Sequence, residues 1–158
     1  MQKGRSMVEM MGVLILIAVL TVSILSIWTQ VRTKMQVTQS QNEIFQIAQN
    51  VSGLYSWARD YSPMGADTQL LKTLCENDVF PGGCENNVPM NPFGGEYLVE
   101  KTSVGEGSDA RDSYFTVTLT GLPSEGACDE VLGYDFENAV SMDCFGPEDN
   151  VSAVIVFQ

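Results

Sequence analysis

The sequence predicts an α+β fold: one long N-terminal α-helix with a protruding hydrophobic half, and a small antiparallel β-sheet packed on its C-terminal half. Three observations predict it. No proline occurs before Pro63, so a helix can run unbroken from Ser6 to about Arg59. Residues 10–28 (MMGVLILIAVLTVSILSIW) carry no charge, whereas residues 44–58 are amphipathic. Strand-like segments begin only after residue 95.

The first half of the helix has membrane-grade composition. At about 1.5 Å per residue, residues 10–28 span roughly 28 Å, close to the hydrocarbon thickness of a bilayer. Glu9 stands at the mouth of this run. A carboxylate entering hydrocarbon costs roughly 2.5–3.5 kcal/mol, so Glu9 calls for a partner. A cleaved secretory signal fits poorly, because the run exceeds a usual signal core and has no A-x-A site at its end.

In the second half, Ile44, Ile47, Ala48, Val51, Leu54, Tyr55 and Ala58 follow i, i+3, i+4, i+7 spacing. The opposite face carries Gln41, Asn42, Gln46, Gln49 and Asn50. Residues 29–43 are richer in Gln and Thr and read as a polar crossing. A helix of ~54 residues is roughly 80 Å long. A domain this small cannot pack against all of it, so the N-terminal half is expected to protrude.

Helix stop signals gather at Tyr61-Ser62-Pro63-Met64-Gly65. A connecting region to about residue 95 follows, with a short helix expected over 68–74. Strands are expected at 96–101, at 113–119 with Phe115, Val117 and Leu119 on one face, and at 151–157. Residues 104–112 read as a hairpin loop, 123–132 as a short helix, and 133–150 as mostly loop.

Eight basic against twenty acidic residues give a net charge of −12, with no histidine. The basic residues cluster early, at Lys3, Arg5, Arg32 and Lys34. This argues against a nucleic-acid surface, which needs a basic patch. Cys75, Cys84, Cys128 and Cys144 all lie in the polar part. An even count beyond an export segment suggests disulfides. Four cysteines allow three pairings, and nearest neighbours, Cys75 with Cys84 and Cys128 with Cys144, are the expectation.

Two acidic clusters, Glu106, Asp109 and Asp112, and Glu148, Asp149 and Asn150, invite a calcium reading. Neither has EF-hand spacing, so solvated loop charge is the expectation and no cofactor is expected. Catalysis finds no support: there is no histidine, no nucleophile elbow and no phosphate-cradling loop after a strand.

Lys3-Gly4, then Arg5-Ser6-Met7-Val8-Glu9, then a proline-free apolar helix running into an amphipathic half resembles the type IV pilin superfamily. Asn91-Pro92-Phe93-Gly94-Gly95 followed by Tyr97-Leu98-Val99 looks like the loop-to-sheet entry of pilins and pseudopilins. Gly121-Leu122-Pro123 with Ala127-Cys128 and Val131-Leu132 looks like the opening of the disulfide-bounded region of type IVb pilins.

The resemblance implies a leader over 1–4, a transmembrane and filament-core helix over 5–35, and a globular head over 36–158. It implies cleavage between Gly4 and Arg5 by a prepilin peptidase, with N-methylation at Arg5. It pairs Glu9 with the free amine of Arg5 on a neighbouring subunit. The physics agrees, since a carboxylate buried among packed apolar helices must be paired. The Cys128–Cys144 pairing matches the family's C-terminal disulfide loop.

The implied function is a structural subunit of a type IV pilus, a type IVb-like major pilin serving adhesion, aggregation or motility. Its implied partners are identical subunits in a helical filament, the inner membrane before assembly, and the pilus assembly machinery. Its implied location is the bacterial inner membrane, then an extracellular filament. A type II secretion pseudopilin or a minor pilin is the nearest alternative. A single-pass membrane-anchored periplasmic binding module is the alternative of another class.

Overall fold

A computed structural model describes residues 7–58, 61, 63–64, 67–104, 111–147 and 150–158. The chain divides into two units, Met1–Met35 and Gln36–Gln158. Helix α1, Met7–Leu54, supplies the described residues of the first unit and opens the second. It ends about one turn earlier than the sequence suggests. After Gly53 the chain tightens: the Ser56 amide and hydroxyl both donate to the Gly53 carbonyl, which ends the regular ladder.

In the second unit α2 (Asp67–Glu76) encloses the expected short helix. It closes with Asp78 in the left-handed region and the Val79 amide donating back to the Leu74 carbonyl, which satisfies the helix end. A two-stranded hairpin follows, β1 (Cys84–Glu85) and β2 (Val88–Pro89). Its turn residues Asn86 and Asn87 both have positive φ, which asparagine tolerates better than most residues. The connecting region gave no strand signal because this pair is only two residues long on each side.

The main sheet has four antiparallel strands: β3 (Tyr97–Val104), β4 (Arg111–Leu122), β5 (Ala139–Phe145) and β6 (Val151–Phe157), ordered β3-β4-β6-β5. Between β4 and β5 lies α3 (Glu125–Leu132), whose Ser124 hydroxyl caps the Ala127 amide. The α+β architecture expected from the sequence is present: the sheet packs on the C-terminal half of α1. The core joins Val37, Ile44, Ile47 and Val51 of α1 to Tyr97, Val99, Phe115, Val117, Leu119, Ile155 and Phe157 of the sheet.

Two expectations are refined. The 133–150 stretch, expected as mostly loop, also holds the seven-residue strand β5, which the sequence did not signal. Its side chains are largely exposed, including Val140 and Phe145, so the edge strand is held by backbone pairing with β6 and shows no buried alternation. The 29–43 stretch is also not a polar crossing throughout. Val37, Ser40 and Glu43 are buried, and the 3–4 spacing that places Ile44, Ile47 and Val51 runs back through Ser40 to Val37.

The segment entering the sheet is built around Asn91. Its side-chain oxygen accepts from the Phe93 and Gly95 amides, and its nitrogen donates to the Thr120 and Glu96 carbonyls. Gly95 passes so close to β4 that a Cβ would lie 2.1 Å from the Thr120 carbonyl oxygen. Only glycine fits there.

Candidate assembly site

In the first unit, Glu9 is exposed in the first turn of α1, where a carboxylate complements the positive end of the helix dipole. Met10, Val13 and Leu14 lie around it. From Met10 to Trp28 the large apolar side chains stand exposed on every side of the helix. The Thr21 and Ser23 hydroxyls donate to the Ile17 and Val19 carbonyls, 2.7 and 2.9 Å away, and so are satisfied within the helix. A helix apolar all round, with its hydroxyls turned inward, suits a medium without water. It is long and apolar enough to cross a membrane. Gly4 and Arg5 lie outside the described residues, so the cleavage, methylation and pairing expected there have no geometry here.

In the second unit the helix is fastened by polar side chains that the sequence reading placed on the polar face, Gln41 and Asn50, or in the polar crossing, Gln36. The Gln36 carboxamide donates to the Pro92 carbonyl, Asn50 to Val79, and Gln41 to the Glu130 and Val131 carbonyls. The Gln41 contact satisfies carbonyls in the last turn of α3 that lack partners in that helix.

A buried polar cluster was not foreseen. The Glu43 carboxylate accepts from the Tyr97 hydroxyl at 2.7 Å and from the Gln39 carboxamide at 2.8 Å. Burial, with the Glu43 hydrogen bond and charge beside it, pushes the Tyr97 phenol far above its usual range. Ser40, next to the phenol, acts weakly in the other direction, yet its buried oxygen has no well-formed hydrogen bond. The sequence signal for this cluster was present: Ser40 occupies an apolar position of the 3–4 pattern, and Glu43 lies four residues before Ile47.

The disulfides join nearest neighbours. Cys75 near the end of α2 bonds Cys84 of β1, and Cys128 of α3 bonds Cys144 of β5, with Cα separations of 5.9 and 6.2 Å. The second ties the edge strand to α3 over a fully buried sulfur at Cys128. Around it Glu125, Asp129, Glu130, Asp135, Glu137 and Asp143 are all exposed.

Among the described residues, no group of three or more His, Cys, Asp or Glu side chains is gathered to hold a metal. Glu106, Asp109, Glu148 and Asp149 of the calcium reading lie outside the described residues, and the Asp112 side chain is likewise not described.

A family model described as PilS N terminal matches residues 34–143, well over half of the chain. The chain belongs to the PilS N-terminal family. This is a pilus-related family, and the match takes in α2, β3, β4, α3, the Cys75–Cys84 disulfide, Cys128 and most of β5, stopping one residue before Cys144. No curated protein matches the chain. The PilS N-terminal match begins after the apolar segment, so Glu9 lies outside it.

Proposed function

We propose that this chain is a structural subunit of a type IV pilus, a type IVb-like major pilin that polymerises through the first half of α1. The observation that carries the reading is a pilus-related head in one chain with a helix whose described large apolar side chains from Met10 to Trp28 are exposed. Two media cover such a surface in turn. The inner membrane holds the unassembled subunit, and the helices of identical subunits replace the lipid in the filament.

A prepilin peptidase would cut after Gly4 and free the amine of Arg5, which becomes the site of N-methylation. Glu9 is the one carboxylate of residues 1–35, and the Arg5 amine of a neighbouring subunit is its partner. That pairing selects axial register, since an unpaired carboxylate among packed apolar helices is costly. The role is structural, with neither a catalytic centre nor a cofactor, and the head faces outward.

Glu9→Ala tests this in a cell with a working type IV pilus assembly system. The expected result is loss of surface filaments with the membrane-bound chain at its normal level. Filaments assembled as before from Glu9→Ala chains would remove the pairing role. A cellular function that persists without filaments would favour an anchored binding module.

A further inference from the structure

Two linked cavities lie on the flank of α1 where β6 ends. The first, of about 410 Å³, is lined by Phe45, Gln49 and Asn138, together with Ser52 and Gln158. The second, of about 310 Å³, is lined by Tyr55, Tyr61 and Ser113, again with Ser52 and Gln158. The two shared residues make them one groove with two compartments, each large enough for part of a small organic ligand.

The lining has a definite chemistry. Gln49, Asn138 and Gln158 each offer a carboxamide, a donor and an acceptor side by side, which matches a pair of adjacent hydroxyls. Among the described residues, the side chains of these three and of Ser52 and Ser113 make no hydrogen bond within the protein. Phe45, Tyr55 and Tyr61 add ring surface, and a tyrosine couples an apolar face to a polar tip. A pyranose has the complementary character, with an apolar C–H face and a polar rim of hydroxyls.

The charge selects further. Glu137 is the one charged side chain among the described lining residues. Residues 36–158 hold nineteen acidic and four basic side chains, hence a net −15. A sialylated or sulfated glycan would be repelled by that field.

We propose that this groove binds a neutral oligosaccharide, with one sugar ring against Tyr55, whose ring is held edge-to-face by Tyr61, and the next between Gln49 and Asn138. The same chemistry is offered by glycoconjugates of another cell and by neutral polysaccharide of the bacterial surface. The inference does not rest on the filament reading, because the groove belongs to a single chain.

The test uses the full chain, unassembled, in a detergent without a sugar headgroup. Saturation-transfer NMR is run with two arms, neutral host-type oligosaccharides and neutral bacterial O-polysaccharide fragments, each with a sialylated counterpart. The expected result is binding of neutral sugars in at least one arm, with the tighter arm naming the source. Gln49→Ala and Tyr55→Leu should each weaken it by about tenfold or more. Tyr55 is half-buried, so its variant is first checked by thermal unfolding; Gln49→Ala, at an exposed helix position, carries the test if Tyr55→Leu fails to fold. No binding in either arm, equal binding of sialylated sugars, or unchanged binding by Gln49→Ala would overturn the proposal.

Discussion

The two units solve the burial problem in opposite ways. Residues 36–158 cover most of their large apolar side chains: α1 and the sheet share one core, and the exterior is acidic. Met10 to Trp28 cover none of theirs. A sequence that keeps a long run of exposed apolar residues has assigned its burial to something outside the chain. The second unit therefore has a stability of its own, whereas the first has a solvent or partner requirement. Substitutions should separate the same way. Those in the second unit change unfolding, and those in the first change insertion and assembly.

The largest effect on unfolding is expected at Gly95. Gly95→Ala drives a Cβ into the Thr120 carbonyl, and chemical denaturation should show a loss of about 3 kcal/mol or more. The same change at Gly12, where nothing lies within 4 Å, should leave head stability unaltered. Equal losses at both positions would break the division between the units.

Next come the disulfides. Replacing Cys128 and Cys144 by alanine opens a loop with a sequence separation of 16 and empties a buried site. The loss should be about 3 kcal/mol on the chain-entropy account, plus a cavity contribution. The Cys75–Cys84 pair has a separation of 9 and only partly buried sulfurs, so its removal should cost less. Denaturation of the two double mutants side by side checks the order.

A smaller loss is expected at the Glu43 cluster. Glu43→Ala leaves the buried Tyr97 hydroxyl without its acceptor, which should cost about 1–3 kcal/mol. Tyr97→Phe and Glu43→Ala combined should fall short of the sum of the single losses, because the two groups share one interaction.

The smallest effect is a pH dependence. The Tyr97 phenol is raised in the folded chain above the ordinary tyrosine value of 10.0. The unfolded chain therefore releases this proton first as pH rises. Stability from this group is complete below pH 10 and declines above it, by up to about 1.4 kcal/mol per pH unit. Denaturation of Tyr97→Phe between pH 9 and 11 should show a shallower alkaline decline than the parent. An equal decline would mean that Tyr97 ionises freely.

How much of this was legible in the sequence differed by element. The long helix, β4 and β6 were readable because each places apolar residues at its own period. β5 was not readable, because an edge strand held by backbone pairing and one disulfide needs no apolar face. The Glu43–Tyr97 pair joins residues 54 positions apart, a contact that only the fold creates. Likewise Gln36, Gln41 and Asn50 look like a solvent face until backbone carbonyls arrive beside them. The sugar-sized groove draws on α1, β4, β6 and the turn before β5, so no local pattern announces it.

The central claim is that the exposed apolar helix is covered by copies of itself in a filament. Intact mass measured on sheared surface filaments tests it most directly. The account predicts this chain as the bulk component, starting at Arg5, with or without an added methyl group. It should be lighter than the fully reduced chain by four hydrogens, two per disulfide. Filaments without this chain, with the chain itself remaining in the membrane fraction, would contradict it.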